Sequence, residues 1–284
     1  MREIDESNPK SFYLSEDENE EIFRSAVLND ALKDYDFSPS DKPTVFLSAG
    51  LPGAGKTNLI FTAKNANERM FIANSDEMRP SHPLYEQAVK LYGSEAGSAV
   101  HHDAVIFSDK LIDYALENKV NFIIDSTLKD PKKTDALLER LQKHNYHIHV
   151  SMIAVNEYES MHGILNRYVE QYRLYPMTAR FVDKRFIDVG KVNIPLSAEV
   201  ILQKNIQEFK IFDRDHKLLY ASTKDAKKSV KEVLEKATDL NTFNSEKIEK
   251  LTASWESLMV KLKTVNVPSH IMIKAEKIYE ALKK

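Results

Sequence analysis

The chain contains no cysteine, which excludes disulfides and cysteine-ligated zinc alike. No run of apolar residues approaches the roughly 20 needed to span a bilayer as a helix. The opening M-R-E-I-D-E-S-N-P-K is polar and lacks the apolar centre of a signal peptide. Neither sign of charge dominates: 40 basic and 43 acidic side chains leave a formal net charge of −3. That balance gives no general drive toward nucleic acid or anionic membrane. Internal repeats and low-complexity tracts are missing, and glycine is absent beyond Tyr220. A cytoplasmic protein with no membrane association is the expectation. What the chain does have is core material, 42% hydrophobic among 284 residues, enough for one large domain or a domain with an appendage.

The pattern divides the chain into three parts. Residues 1–42 are acidic and lack a strand, and Ile22, Phe23, Ala26, Val27, Ala31 and Leu32 recur at the spacing of one amphipathic helix. Residues 43–221 alternate apolar runs at 44–48, 70–74, 121–125 and 147–155 with helical patterns, which predicts an α/β fold with a parallel sheet and crossover helices. Residues 209–220 read as a strand, a polar turn over Asp213–His216 and a second strand. Residues 222–284 are rich in Lys and Glu and predict helices near 223–239, 245–264 and 269–282, with Ser269 as a cap for the last. These C-terminal helices form either a small bundle of their own or a cover on the core.

Residues 50–57, G-L-P-G-A-G-K-T, form an unbroken P-loop between the apolar run Thr44–Leu47 and a helical segment from Asn58 to Ala63. Backbone N–H groups at Gly50, Gly53, Ala54 and Gly55 are placed to wrap phosphates. Lys56 reaches the outer ones, and the Thr57 hydroxyl stands where Mg²⁺ is held. The following helix adds its partial positive charge. A nucleotide, ATP or GTP with Mg²⁺, is therefore the expected cofactor.

Ligands of open α/β sheets sit outside the carboxyl ends of the strands. The second strand ends directly before Asp76, which is placed to take the proton of an attacking hydroxyl; the alternative is an N-cap. Phe122-Ile123-Ile124-Asp125 ends the third strand in an acid that holds a water on Mg²⁺ or touches substrate, unless it only tightens the turn with Ser126. Thr127 lies on the same rim, and Arg79 follows Asp76, so Asp76, Arg79, Asp125 and Thr127 are candidate acceptor contacts. Arg167 and Arg180 are candidate cations for charge moving onto the transferred phosphoryl group; taken singly, each also suits an exposed helix. His101-His102-Asp103 resembles a metal cluster, but neighbours on a helix point apart, which favours a solvated or partly packed face. His144, His147 and His149 read as structural.

Together, G-L-P-G-A-G-K-T, D-E-M-R-P-S-H-P-L-Y from Asp76, I-I-D-S-T-L from Ile123, N-R-Y at Arg167 and the second arginine at 180 resemble the zeta-toxin family of bacterial toxin–antitoxin systems. The resemblance spans roughly residues 20–220, and its most specific part is D-x-x-R-x-x-H-P-x-Y at Asp76, Arg79, His82, Pro83 and Tyr85. It implies a P-loop kinase-like fold with a helical C-terminal extension. It also implies phosphorylation of the 3′-hydroxyl of the sugar in UDP-N-acetylglucosamine, with ATP or GTP and Mg²⁺. In this reading Lys56 and Thr57 bind nucleotide and metal, Asp76 is the general base, and Arg167 and Arg180 clamp the phosphates. Asp109 stands roughly where a substrate-binding acid is expected, and the N-terminal helix matches the part that meets a small helical antitoxin. The chain departs from the family where Asp125-Ser126-Thr127 replaces a frequent Glu-Gly-Thr. Alternatives are a kinase acting on another UDP-sugar, NAD or a polynucleotide 5′-end, a nucleotide-binding regulator without transfer, and a nucleotide-triggered interaction module.

Overall fold

The computed structural model describes residues 4–5, 8–33, 39–66, 70–225 and 227–284. Parts of the 1–42 segment, residues 1–3, 6–7 and 34–38, thus lie outside the described residues. A six-stranded sheet has the order β2-β3-β1-β4-β5-β6. Its strands are β1 (Thr44–Gly50), β2 (Phe71–Ala73), β3 (Phe122–Asp125), β4 (His147–Ile153), β5 (Glu208–Phe212) and β6 (Leu218–Ala221). The first five run parallel, and β6 turns back antiparallel on β5. The predicted runs therefore fold as strands, including the hairpin.

Successive side chains of a strand face opposite sides, and the burial follows that rule. Val45, Leu47, Phe71, Ala73, Phe122 and Ile124 enter the main core. Phe46, Ile72 and Ile123 face the other way, onto Ile60 and Ala63. Those two residues belong to the helix after the P-loop, numbered α3 below.

The N-terminal segment folds as a 3₁₀ turn at Pro9–Phe12, then α1 (Glu16–Ile22), a π-helical turn at Phe23–Leu28 and α2 (Asn29–Leu32). Phe12, Asn19, Phe23 and Val27 are its buried residues among those described, and the last two lie on the apolar stripe that the periodicity required. Ser15 and Glu18 form a capping box that fixes where α1 starts. Between the strands lie α3 (Thr57–Ala66), α4 (Ser75–Met78), α5 (Tyr85–Tyr92), α6 (Ala96–Ala99), α7 (His101–Asn118), α8 (Pro131–Lys143), α9 (Glu157–Leu174) and α10 (Lys184–Gln203).

The C-terminal helices are α11 (Val230–Thr238), α12 (Ser245–Val265) and α13 (Ser269–Leu282). Two expectations need correction here. Lys224 N and Asp225 N both donate to Ala221 O in a turn, so α11 begins only after Ser229, whose hydroxyl accepts from Glu232 N. At α13 the cap position is Pro268 and no side chain caps the helix, so Ser269 is its first residue.

These helices cover the core rather than standing apart. Leu251, Trp255, Leu258, Leu262 and Ile271 belong to the same hydrophobic cluster as the sheet. Trp255 is fully buried, stacked on Tyr279 and edge-on to His162 of α9. Residues four apart on α9 share a face, and on this one His162 meets Ser254 O at 3.2 Å and Asn166 accepts from Lys261 Nζ at 3.1 Å. Glu170, the next in that row, pairs with Lys261.

Because the extension shares the core, it should melt with it. Trp255→Ala should cost about 3–5 kcal/mol, the range for removing a buried large aromatic. Urea unfolding followed by circular dichroism should show one transition at lower midpoint; two separated transitions would make residues 222–284 an independent unit.

Candidate active site

The site is assembled where β1, β2 and β3 end on one rim. β1 runs into the P-loop, whose Gly53 has φ +71° and is packed so tightly that a Cβ there would lie 2.7 Å from Ile164 N. The partner in that approach is Gly163 of α9, where a Cβ would fall on Gly53 O. Only paired glycines let helix and loop backbones meet this closely. Ser160, one turn earlier on α9, donates its hydroxyl to Pro52 O at 2.7 Å. Arg214, from the turn between β5 and β6, donates to Gly53 O on the next peptide. The phosphate cradle is therefore held from outside by α9 and by the hairpin.

Lys56 lies within 3.3 Å of Gly50 O and 3.4 Å of Leu51 O, folded back over its own loop. Burial pushes its ammonium below the usual lysine range, Asp125 opposes that, Arg167 adds to it and Asp76 again opposes it. Thr57 is exposed at the first position of α3, where the helix dipole favours an anion.

Asp76 is the hub of the charges. Arg79 Nη2 lies 2.5 Å from its Oδ1, and Arg180 Nη2 lies 2.9 Å from its Oδ2. Burial works to raise its pKa, but Arg180 and Arg79 outweigh burial and hold the carboxyl below the usual aspartate range. The N-cap alternative for Asp76 is excluded: Asn74 caps α4, its Oδ1 accepting from Asp76 N at 2.9 Å. Arg167 remains solvent-accessible, with Arg180, Asp76 and Asp125 as its charged neighbours. Arg180 sits in the connection between α9 and α10 rather than on a helix, and its backbone N–H is tied to Gln171 Oε1 at 3.0 Å.

Asp125 stands opposite Ser48 in the β1–β3 register. Its Oδ1 accepts from Ser48 Oγ at 2.6 Å and its Oδ2 from Asn74 Nδ2 at 2.9 Å. It does not make the local turn, because Ser126 Oγ serves that role by accepting from Leu128 N at 3.2 Å. Asn74 thus ties the Asp125 carboxylate to the backbone of Asp76, one through each end of its amide. Thr127 is half-buried, and its carbonyl faces Gly50 N at 3.5 Å, so the rim after β3 closes on the P-loop.

Among the described residues no three His, Cys, Asp or Glu side chains gather as a metal cage. Thr57 and Asp125 instead offer the partial donor set that suits Mg²⁺, an ion that keeps waters and is bound by one or two carboxylates together with substrate phosphates.

The structure brings together Lys56, Asp76, Arg79, Asp125, Arg167 and Arg180. It does not bring Asp109 to them. That residue is exposed on α7, eight residues or about 12 Å along the helix from His101. Its charged neighbours are Arg140, Asp113 and Lys133. The expectation for His101-His102-Asp103 is corrected in one member. His101 and His102 are exposed, but Asp103 is fully buried. Asn74, Ser48, Ser160, Gly163 and Arg214 are the contributors that pattern reading missed. Of these only Gly163 carried a signal, a glycine inside a helix, where it costs about 1 kcal/mol relative to alanine.

The profile of the Zeta toxin family matches residues 29–225. Toxin zeta of Enterococcus hirae is 28% identical over 200 residues, covering 69% of this chain and 69% of that protein. Toxin PezT of Streptococcus pneumoniae serotype 4 is 27% identical over 188 residues, covering 64% of this chain and 73% of PezT. In three dimensions the chain is similar to a structure from the PezAT chromosomal toxin–antitoxin system of Streptococcus pneumoniae. That likeness has a TM-score of 0.75 at 19% identity and covers 89% of this chain and 98% of the other.

The Gly163–Gly53 approach makes a sharp test of the cradle. Gly163→Ala should overpack it by about 1–3 kcal/mol and, if the loop yields, weaken nucleotide binding roughly 5- to 150-fold. Calorimetry with a non-hydrolysable ATP analogue measures this. Unchanged affinity would mean that α9 does not hold the loop.

Proposed function

The chain belongs to the zeta toxin family, and from that premise we propose that it is a kinase. It transfers the γ-phosphoryl group of ATP or GTP to the 3′-hydroxyl of the sugar in UDP-N-acetylglucosamine and so withdraws a cell-wall precursor. The observation that carries this reading is the Asp76 carboxylate lying between two arginines beside the P-loop lysine. A module that only bound nucleotide would need no base at this rim.

The P-loop amides and Lys56 hold the donor phosphates, and Arg167 and Arg180 meet the charge that develops on the phosphoryl group in flight. Thr57 and Asp125 would hold the Mg²⁺ that accompanies the nucleotide, and the ion would supply charge to neutralise the phosphates. The acceptor oxygen forms its bond to phosphorus as the bond to the β-phosphate oxygen breaks, and the hydroxyl proton passes to Asp76. An aspartate gripped by two guanidinium groups is a weak base. As Arg180 turns to the phosphoryl oxygens, Asp76 loses a stabilising partner and its basicity rises. Arg79, Asp125 and Thr127 orient the acceptor. The shorter Asp125, already engaged by Ser48 and Asn74, holds the sugar less closely than a glutamate and widens the range to other UDP-sugars.

In this account residues 43–221 carry the chemistry, and 1–42 and 222–284 support it. A small helical antitoxin would meet α1, whose exposed side is acidic through Glu16, Asp17 and Glu21. The setting would be the cytoplasm, where these substrates occur.

Asp76→Asn keeps the shape and removes the basicity, so transfer should fall by about 10²–10⁴-fold while nucleotide affinity holds. The acceptor is read by incubating the protein with ATP, Mg²⁺ and a panel of UDP-sugars, NAD and 5′-hydroxyl oligonucleotides, then looking for the mass of one added phosphate. UDP-N-acetylglucosamine should gain it and its 3-deoxy analogue should not, because a site built to hydrogen-bond a hydroxyl rejects the analogue lacking it. Phosphate on NAD or oligonucleotide alone would remove the UDP-sugar and leave a kinase.

A further inference from the structure

His82 of the D-x-x-R-x-x-H-P-x-Y run has no part in the chemistry above, yet it is almost completely buried. Its Nδ1 accepts from Leu84 N at 3.1 Å, which leaves the proton of a neutral ring on Nε2. That Nε2 faces Asp103 Oδ2 at 3.4 Å. Its backbone N–H closes the turn that starts at Arg79, donating to Arg79 O at 3.1 Å. Arg79 is then seated by three neighbours: Asp76 at 2.5 Å, His101 Nδ1 at 3.3 Å, and Gly97, where even a Cβ would collide with the guanidinium. The seat has no slack, so a shift of the turn reaches Asp76.

Asp103 itself is fully buried, and a buried carboxylate is tolerated only when donors surround it. Two of those donors come from the N-terminal segment. Asn19 Nδ2 lies 3.1 Å from Oδ1, and Leu14 N lies 3.3 Å from Oδ2. Burial opposes the charged form, but His82, Asn19 and Leu14 N outweigh it and keep the carboxyl below its ordinary range. The segment is pinned on either side of these donors. Phe12 is fully buried in a small cluster with Ala88, Ala96, Ala99 and Val100, Tyr13 stacks on His102 at 4.2 Å, and Glu20 pairs with Lys110 at 2.7 Å.

We propose that the N-terminal segment is a positioning strap for the reaction: by holding buried Asp103 it fixes His82, and through His82 the turn that sets Arg79 against Asp76. Asn19 and His82 are its positioning residues, and neither touches substrate. Without the strap the carboxylate loses two of its donors, must seek water, and releases His82. The P-loop, held by α9 and Arg214 on the far side of β1, is untouched. The strap thus sets turnover and leaves nucleotide binding alone. This rests on the reading of Asp76 as the base, but its structural half stands separately.

The test uses the full chain carrying Asn19→Leu, which keeps the bulk and removes the donor, and separately His82→Leu, which cuts the link at its other end. Hydrogen–deuterium exchange should rise about tenfold over residues 76–85 and stay unchanged over the P-loop in both. With UDP-N-acetylglucosamine as acceptor, kcat should fall about tenfold while KM for ATP stays within about twofold. Adding Asp103→Asn to Asn19→Leu should restore part of both losses, because a neutral amide needs fewer donors. Unchanged exchange at 76–85 overturns the proposal, as does a rise spread equally over the P-loop with a matching rise in KM for ATP. If the unaltered chain phosphorylates nothing, the kinase reading fails, and the exchange pattern still decides the strap.

Discussion

Four cations, Lys56, Arg79, Arg167 and Arg180, converge on one crevice, and the Asp76 carboxylate is what lets them do so. Like charges this close repel through a medium that screens them poorly. Asp76 neutralises two of them directly, and Asp125 lies in reach of Lys56 and Arg167. The crevice still carries an excess of positive charge, which is the right preparation for a polyanion. In the proposed reaction, phosphates that enter would replace the carboxylate as partner for Arg180, so one interaction would both assemble the site and yield when the substrate arrives.

Much of the remaining structure serves to keep those groups in place. α9 meets the P-loop backbone through Gly163 and carries Arg167 one turn further along the same face, while His162, Asn166 and Glu170 meet the C-terminal helices on another. Lys250 of α12 pairs with Asp215 at 2.7 Å, next to the Arg214 that grips Gly53 O. An extension that looks like an appendage in sequence is therefore packed against both supports of the phosphate cradle. Exposed pairs such as Lys250–Asp215 contribute little energy singly. The buried face around Trp255 supplies the adhesion, and the pairs fix its register.

What could be read from the sequence was what is local or periodic. The P-loop is contiguous, so its residues and spacing appear in one line of text. The strands announce themselves by apolar runs, and the β5–β6 hairpin by the polar turn between two of them. Asp125 ends β3 and Asp76 stands three residues beyond the end of β2, in the first turn of α4, so the strands before them place both on the rim. What escaped depends on contacts between distant residues. Nothing near Arg214 indicates a P-loop carbonyl 161 positions away, and nothing near Asp103 shows that Asn19 and His82 will enclose it. Asp109 failed for the complementary reason: a position carried over by likeness alone has no geometric constraint, and on α7 it turns toward Arg140. The start of α11 comes seven residues late, about two turns, and Ser269 lies one position inside α13, because Ser229 and Pro268 decide those boundaries against the wider helical pattern.

The central claim is that phosphate binding releases Asp76 from its arginines and makes it a base. Carbon-13 NMR of the Asp76 carboxyl, titrated with and without a non-hydrolysable ATP analogue and Mg²⁺, measures this directly. In the free protein the carboxyl should titrate below the ordinary aspartate value of 3.8, and the analogue should move it upward as Arg180 is drawn away. A carboxyl that stays as low, or falls further, with nucleotide bound would contradict the account.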